Sequence, residues 1–126
     1  MNPTVLVVDD EKTFRLVVEE TLTADGFEVT TARTGEAALL AWQRDPQDII
    51  ILDRRLPDID GVQLLEQFVR ESQERGVDTL IILATAYAEV ESAVHALKLG
   101  AFDYLSKPLH LPNLIVTMRQ ALETRR

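Results

Sequence analysis

The sequence predicts an α/β fold built on a parallel sheet covered on both faces. Three observations carry that expectation. Val5-Leu6-Val7-Val8, Ile49-Ile50-Ile51-Leu52 and Leu80-Ile81-Ile82-Leu83 are unbroken apolar runs, the pattern of strands buried from both sides. Segments with helical spacing of apolar residues separate them. The 126 residues suit one domain with one core, residues 1–126, without linkers, repeats or low-complexity stretches.

In order along the chain, Val5–Val8 is the first strand and ends in Asp9-Asp10-Glu11. Phe14, Val17, Val18, Thr21 and Leu22 follow at helical spacing, with Gly26 as the stop. Phe27-Glu28-Val29-Thr30 alternates apolar and polar, as a half-exposed strand nearer the sheet edge does. Thr34 caps a helix with the apolar face Ala37, Ala38, Leu40 and Ala41, ending before Pro46. The central strand Ile49–Leu52 delivers Asp53. Asp60 with Gln63 reads as a capping box opening a helix that buries Leu64, Leu65, Phe68 and Val69, and Gly76 closes it. Leu80–Leu83 runs into Ala84-Thr85-Ala86. Val90, Ala93, Val94 and Leu97 form the predicted face of the next helix, stopped by Gly100. Ala101–Leu105 is the fifth strand, ending at Ser106-Lys107-Pro108, and Leu111, Leu114, Ile115, Met118 and Leu122 make the last helical face. Strands and helices thus alternate five times, which indicates a doubly wound parallel sheet. Trp42 is expected to pack its helix on the sheet, and Arg125-Arg126 to be a solvated helix end.

Composition narrows the function. At 46% hydrophobic and 27% charged the chain is ordinary for a soluble globular domain. A formal net charge of −8 argues against direct nucleic-acid binding, because phosphates would be repelled. The absence of cysteine excludes disulfides and thiolate metal sites and fits a cytoplasmic protein. No signal-like N-terminus is present, and no apolar run approaches the ~20 residues of a membrane helix.

The candidate site follows from topology. In a parallel sheet all strand C-termini lie on one edge, so Asp9, Asp10, Asp53, Thr85 and Lys107 can converge there. Clustered carboxylates repel by roughly 4 kcal/mol per pair at about 4 Å and an effective dielectric of about 20, so they protonate in part or take up a hard cation. Oxygen-only donors without His or Cys favour Mg2+. Lys107 supplies a mobile positive charge and Thr85 a hydroxyl. A carboxylate beside a divalent cation, a lysine and a hydroxyl is arranged to accept a phosphoryl group.

Those positions together resemble a response-regulator receiver domain of two-component signal transduction. Asp53-Arg54-Arg55-Leu56-Pro57-Asp58-Ile59-Asp60-Gly61 is similar to the family's D-x-x-L/M-P-x-x-x-G segment. Gly100-Ala101-Phe102-Asp103-Tyr104-Leu105-Ser106-Lys107-Pro108 is similar to its G-A-x-x-Y/F-L-x-K-P segment. The resemblance spans essentially the whole chain and implies a flavodoxin-like (βα)5 fold with strand order 2-1-3-4-5. It further implies that Asp53 accepts a phosphoryl group from a sensor histidine kinase. Asp10 and Asp53 would bind Mg2+ with the backbone carbonyl of Arg55, Asp9 acting largely through water. Phosphate on Asp53 would draw in Thr85 and Lys107, and Tyr104 would turn inward. That would change the face formed by the fourth helix, fifth strand and fifth helix, which would contact an output domain, a partner protein or a second copy. The wording around Thr85 and Lys107 is similar to receivers of NtrC-type transcriptional activators. The Lys107-Pro108 bond is expected to be cis by analogy. Arg55 and Tyr87 are expected to tune the lifetime of the phosphoryl group.

Each residue alone has a plainer account. Asp9-Asp10 could cap a helix, Asp53 could sit in a turn, Thr85 could cap, and Lys107 could be a surface charge. Tyr104 could simply be core with a wet hydroxyl. His95 and His110 look like surface or helix-flank residues. Capping does not explain why every crevice position has the residue type that phosphotransfer needs. A Mg2+-dependent phosphohydrolase working through an aspartyl phosphate is the alternative, yet such enzymes carry an Asp where this chain has Arg55. A flavin-binding module needs a phosphate loop where Asp9-Asp10-Glu11 would repel phosphate.

Overall fold

The computed structural model describes residues 2–86 and 90–125. Its elements are β1 (Thr4–Val8), α1 (Lys12–Ala24), β2 (Glu28–Ala32), α2 (Gly35–Arg44), β3 (Ile49–Leu52), α3 (Gly61–Arg75), β4 (Leu80–Thr85), α4 (Val90–Leu99), β5 (Asp103–Ser106) and α5 (Leu111–Thr124). The five strands are parallel in the order β2-β1-β3-β4-β5, as expected, with β2 at an edge.

The unbroken apolar runs are explained by the two layers that cover the sheet. Side chains alternate along a strand, so Leu6, Val8, Ile50, Leu52, Ile81 and Leu83 face α2, α3 and α4. Val5, Val7, Ile49, Ile51, Ile82 and Ala84 face α1 and α5. Trp42 is fully buried on the first face, its ring edge-on to Phe68 with centroids 5.5 Å apart and its indole N–H donating to Thr79 Oγ1 at 3.0 Å.

Several local expectations shift. On α2 the buried residues are Gly35, Ala38 and Trp42, while Ala37 and Leu40 are exposed. The large indole fixes the rotation of the helix, and alanines count little because they bury little area. On α4 the predicted stripe points outward: Val90 is 81% exposed, Val94 46% and Leu97 46%. Ala96 is fully buried instead, since a small side chain lets the helix approach closely. Ala101 and Phe102 lie in the connection between α4 and β5 rather than in the strand. Gly100 has φ +117, which only glycine adopts cheaply, and Ala101 N–H closes on Ala96 O at 3.1 Å. The ladder resumes where Phe102 N–H donates to Ile81 O.

Asp60 caps α3 through Val62 N–H at 2.8 Å, and Gln63 makes no return bond among the described residues, so the capping box is half-formed. Arg125 is no solvated end: it pairs with Asp48 at 2.8 Å and donates to Asp78 O at 2.9 Å. Arg126 lies outside the described residues.

Candidate functional site

Strand register sets the site. Val8 pairs with Leu52 and Leu52 with Leu83, so Asp9 and Asp53 leave adjacent strands at the same level. The ladder continues one residue beyond the strands. Asp9 N–H donates to Ala32 O, Asp53 N–H to Val8 O and Lys107 N–H to Thr85 O, at 2.9–3.0 Å. These backbone bonds fix the origins of three side chains before any side-chain contact is made. The β3–α3 loop then folds back, with Gly61 N–H on Arg54 O at 2.6 Å and Arg55 bridging Asp60. A Cβ at Gly61 would collide with the carbonyl oxygen of Asp53, so glycine is required there for close approach.

The carboxylates of Asp9, Asp10 and Asp53 place one oxygen each within 4.8 Å of one another. Asp9 is 1% exposed, Asp53 7%, and Asp10 is on the surface. Both oxygens of Asp9 are engaged: Oδ1 accepts from Glu11 N–H at 2.9 Å, and Oδ2 holds the Lys107 ammonium in a short ion pair. Lys107 Nζ also lies 3.6 Å from Asp53 Oδ2. The fully buried Thr85 hydrogen-bonds Asp53 through its side chain. Burial pushes the Asp53 carboxyl above its ordinary value and the neighbouring Asp9 charge adds to it, while Lys107, the Arg55 N–H and Thr85 pull it down. A carboxylate that is partly dehydrated and crowded by a second one gains from any cation brought to it. Three oxygen donors without nitrogen or sulfur fit a small hard cation.

The structure therefore brings Asp9, Asp10, Asp53, Thr85 and Lys107 together. Arg55 N–H makes a long 3.4 Å contact with Asp53 Oδ1, and the residue is exposed. Tyr87 lies outside the described residues. Tyr104 sits on the same sheet face as Thr85, because Leu83 pairs with Tyr104 and Thr85 with Ser106. Its hydroxyl is buried without a hydrogen-bond partner among the described residues. The Lys107-Pro108 bond is cis.

Three residues near the site had no functional reading in the sequence. Asp58 accepts from Gly35 N–H and Glu36 N–H, both at 2.9 Å, tying the β3–α3 loop to the start of α2 beside the Thr34 cap. Arg54 donates to Ser92 Oγ at 2.7 Å, tying the same loop to α4. Phe14 lies under the Lys107 ammonium, 4.1 Å from ring centroid to Nζ. Each depends on a partner more than 20 positions away in the chain, so no local pattern announces it.

A five-stranded flavodoxin-like sheet carrying three carboxylates, a lysine and a hydroxyl at its C-terminal edge is the architecture of a receiver-type signalling domain. The profile of the response regulator receiver domain matches residues 5–119, and the chain belongs to that family. It is 40% identical over 119 residues to regulatory protein AtoC of Escherichia coli, covering 94% of this chain and 25% of that protein. Among solved structures, a CheY-like receiver domain from Methanospirillum hungatei superposes with TM-score 0.90 at 27% identity, covering 98% of this chain and 96% of that one. NtrX from Brucella abortus superposes with TM-score 0.87 at 32% identity, covering 98% of this chain and 28% of that one. The chain thus spans about a quarter of the length of AtoC. Among the described residues no helix is long and apolar enough to cross a membrane.

Proposed function

We propose that this domain takes a phosphoryl group onto Asp53 from the phosphohistidine of a sensor histidine kinase and uses the change to control a transcriptional output. The carrying observation is the convergence of Asp9, Asp10 and Lys107 on a buried Asp53. An Asp53 carboxylate oxygen forms the new O–P bond as the P–N bond of the donor breaks, and the electron pair stays with the leaving imidazole. Asp10, Asp53 and the Arg55 carbonyl would hold Mg2+, with Asp9 acting through water because its own oxygens are already engaged. Bound there, Mg2+ supplies charge neutralisation for the carboxylates and the transferring oxygens. Lys107 moves from carboxylate to phosphoryl oxygen over a short distance, and Thr85 donates its hydroxyl to another.

On the shared sheet face, Thr85 moving toward Asp53 opens space into which Tyr104 turns. The consequence is read on α4, β5 and α5, where Val90, Val94 and Leu97 lie exposed at helical spacing along α4, fit for an output domain, a partner or a second copy. Arg55 and Tyr87 set how long the phosphoryl group survives, so Arg55→Ala and Tyr87→Ala should each change the dephosphorylation rate.

Incubation with Mg2+ and a small acyl phosphate tests the reading. One acid-labile phosphoryl group per chain, absent in Asp53→Asn, is expected. Steady release of phosphate from a phosphomonoester would instead indicate a hydrolase.

A further inference from the structure

We infer that Phe14 is a positioning residue for phosphotransfer, its ring holding the Lys107 ammonium against the acceptor carboxylates. The inference rests on the reading of Asp53 as the phosphoryl acceptor, and concerns a residue on a helix that reading leaves unused.

The Lys107 ammonium is enclosed on three sides. Asp9 takes one N–H in a short ion pair, Asp53 stands 3.6 Å away, and the Phe14 ring closes the third side at 4.1 Å from its centroid. The lysine side chain is only 16% exposed, so the contact is largely shielded from water, the condition in which a ring's negative face attracts a cation most.

Open room lies beside both Phe14 and Lys107. A cavity of about 470 Å3 between α1 and the β5–α5 connection is bordered by Glu11, Phe14, Val17, Lys107, Pro108 and Leu111. A lysine has a flexible four-carbon stem. Without the ring, its head could swing into that space and pair with Glu11 or with water. The ring face holds the ammonium away from that space by attraction, without offering an oxygen that would compete with phosphate. Lys107 is therefore held a short distance from where a phosphoryl oxygen on Asp53 would stand. An aliphatic side chain of similar size would fill the volume but supply no attraction.

Two measurements on the intact chain test this. In the chain without phosphodonor, the Lys107 Hε protons should be shifted upfield by the ring, a shift lost in Phe14→Leu and kept in Phe14→Tyr. With Mg2+ and a small acyl phosphate, Asp53 should be phosphorylated about five- to tenfold more slowly in Phe14→Leu, and within about twofold of wild type in Phe14→Tyr. A small donor is used because a protein donor could also touch the cavity wall. Unshifted Lys107 protons in the wild type overturn the geometry. Equal rates in wild type and Phe14→Leu, or a Phe14→Tyr as slow as Phe14→Leu, overturn the positioning role. A wild type that takes up no phosphoryl group sinks the functional reading itself, which the proton shifts do not depend on.

Discussion

Replacing Asp53 by Asn should stabilise the metal-free domain near neutral pH. Asp9 and Asp10 each have an oxygen within 4.8 Å of an Asp53 oxygen. At an effective dielectric of about 20 the Asp9 charge costs at least ~3.5 kcal/mol, and the exposed Asp10 charge, at a dielectric nearer 80, about 1 kcal/mol. Lys107, 3.6 Å from Asp53 Oδ2, returns about 4.6 kcal/mol on the same basis. The pair interactions nearly cancel, leaving the dehydration of a carboxylate that is 7% exposed as the unbalanced cost. An amide of the same shape removes that cost, for a gain of about 1–2 kcal/mol and roughly 3–8 °C in Tm.

The pH dependence carries the sign. The folded state holds the Asp53 proton more tightly than the unfolded chain, whose value lies near 3.8. The native state therefore binds more protons between that value and the raised folded one, and stability from this group falls as pH rises through the window. The advantage of Asp53→Asn should thus be present at pH 7.5 and vanish below the unfolded value. Urea denaturation in chelator at both ends of the window measures it. Adding Mg2+ at ten times its Kd should restore about 1.4 kcal/mol to the wild type and less to the variant. An Asn variant no more stable than wild type at pH 7.5, or an advantage unchanged in acid, would refute the reasoning.

Other consequences are simpler. Asp58→Ala removes a carboxylate that caps α2 from a distant loop and should cost about 1 kcal/mol in chemical denaturation. The Gly35 and Glu36 N–H groups hold the Asp58 carboxyl below its ordinary value, so this stabilisation is present above that value and lost as pH falls through the depressed one. Gly61→Ala drives a methyl into the Asp53 carbonyl and should cost about 1–3 kcal/mol while slowing phosphorylation, checked by Tm and acyl-phosphate labelling. Arg125→Ala should cost under about 1 kcal/mol yet speed amide exchange in the last turn of α5, because its ion pair is partly exposed.

The sheet and the edge where Asp9, Asp53 and Lys107 gather were legible because both rest on one-dimensional signals. Unbroken apolar runs mark doubly covered strands, and a polar residue after each run marks the edge where ligands bind. Helix orientation was less legible. Val90, Val94 and Leu97 have the spacing of a buried stripe, but Ala96 is the residue that reaches the core, and spacing cannot distinguish a face turned to the sheet from one turned to solvent. Leu40 fails for the same reason against Trp42. Phe14 and Arg54 stayed silent because a ring beneath Lys107 and an arginine reaching Ser92 exist only after the chain has folded.

Trp42 has a practical consequence. It is the sole tryptophan, fully buried, and its indole is bonded to Thr79 just ahead of β4, at the pole of the sheet opposite Asp53. Its emission should report global unfolding faithfully and stay nearly blind to events at Asp53. The domain thus carries a built-in optical probe that separates loss of structure from change of signalling state. A variant that alters phosphorylation while leaving that emission untouched has acted on the chemistry and not on the scaffold.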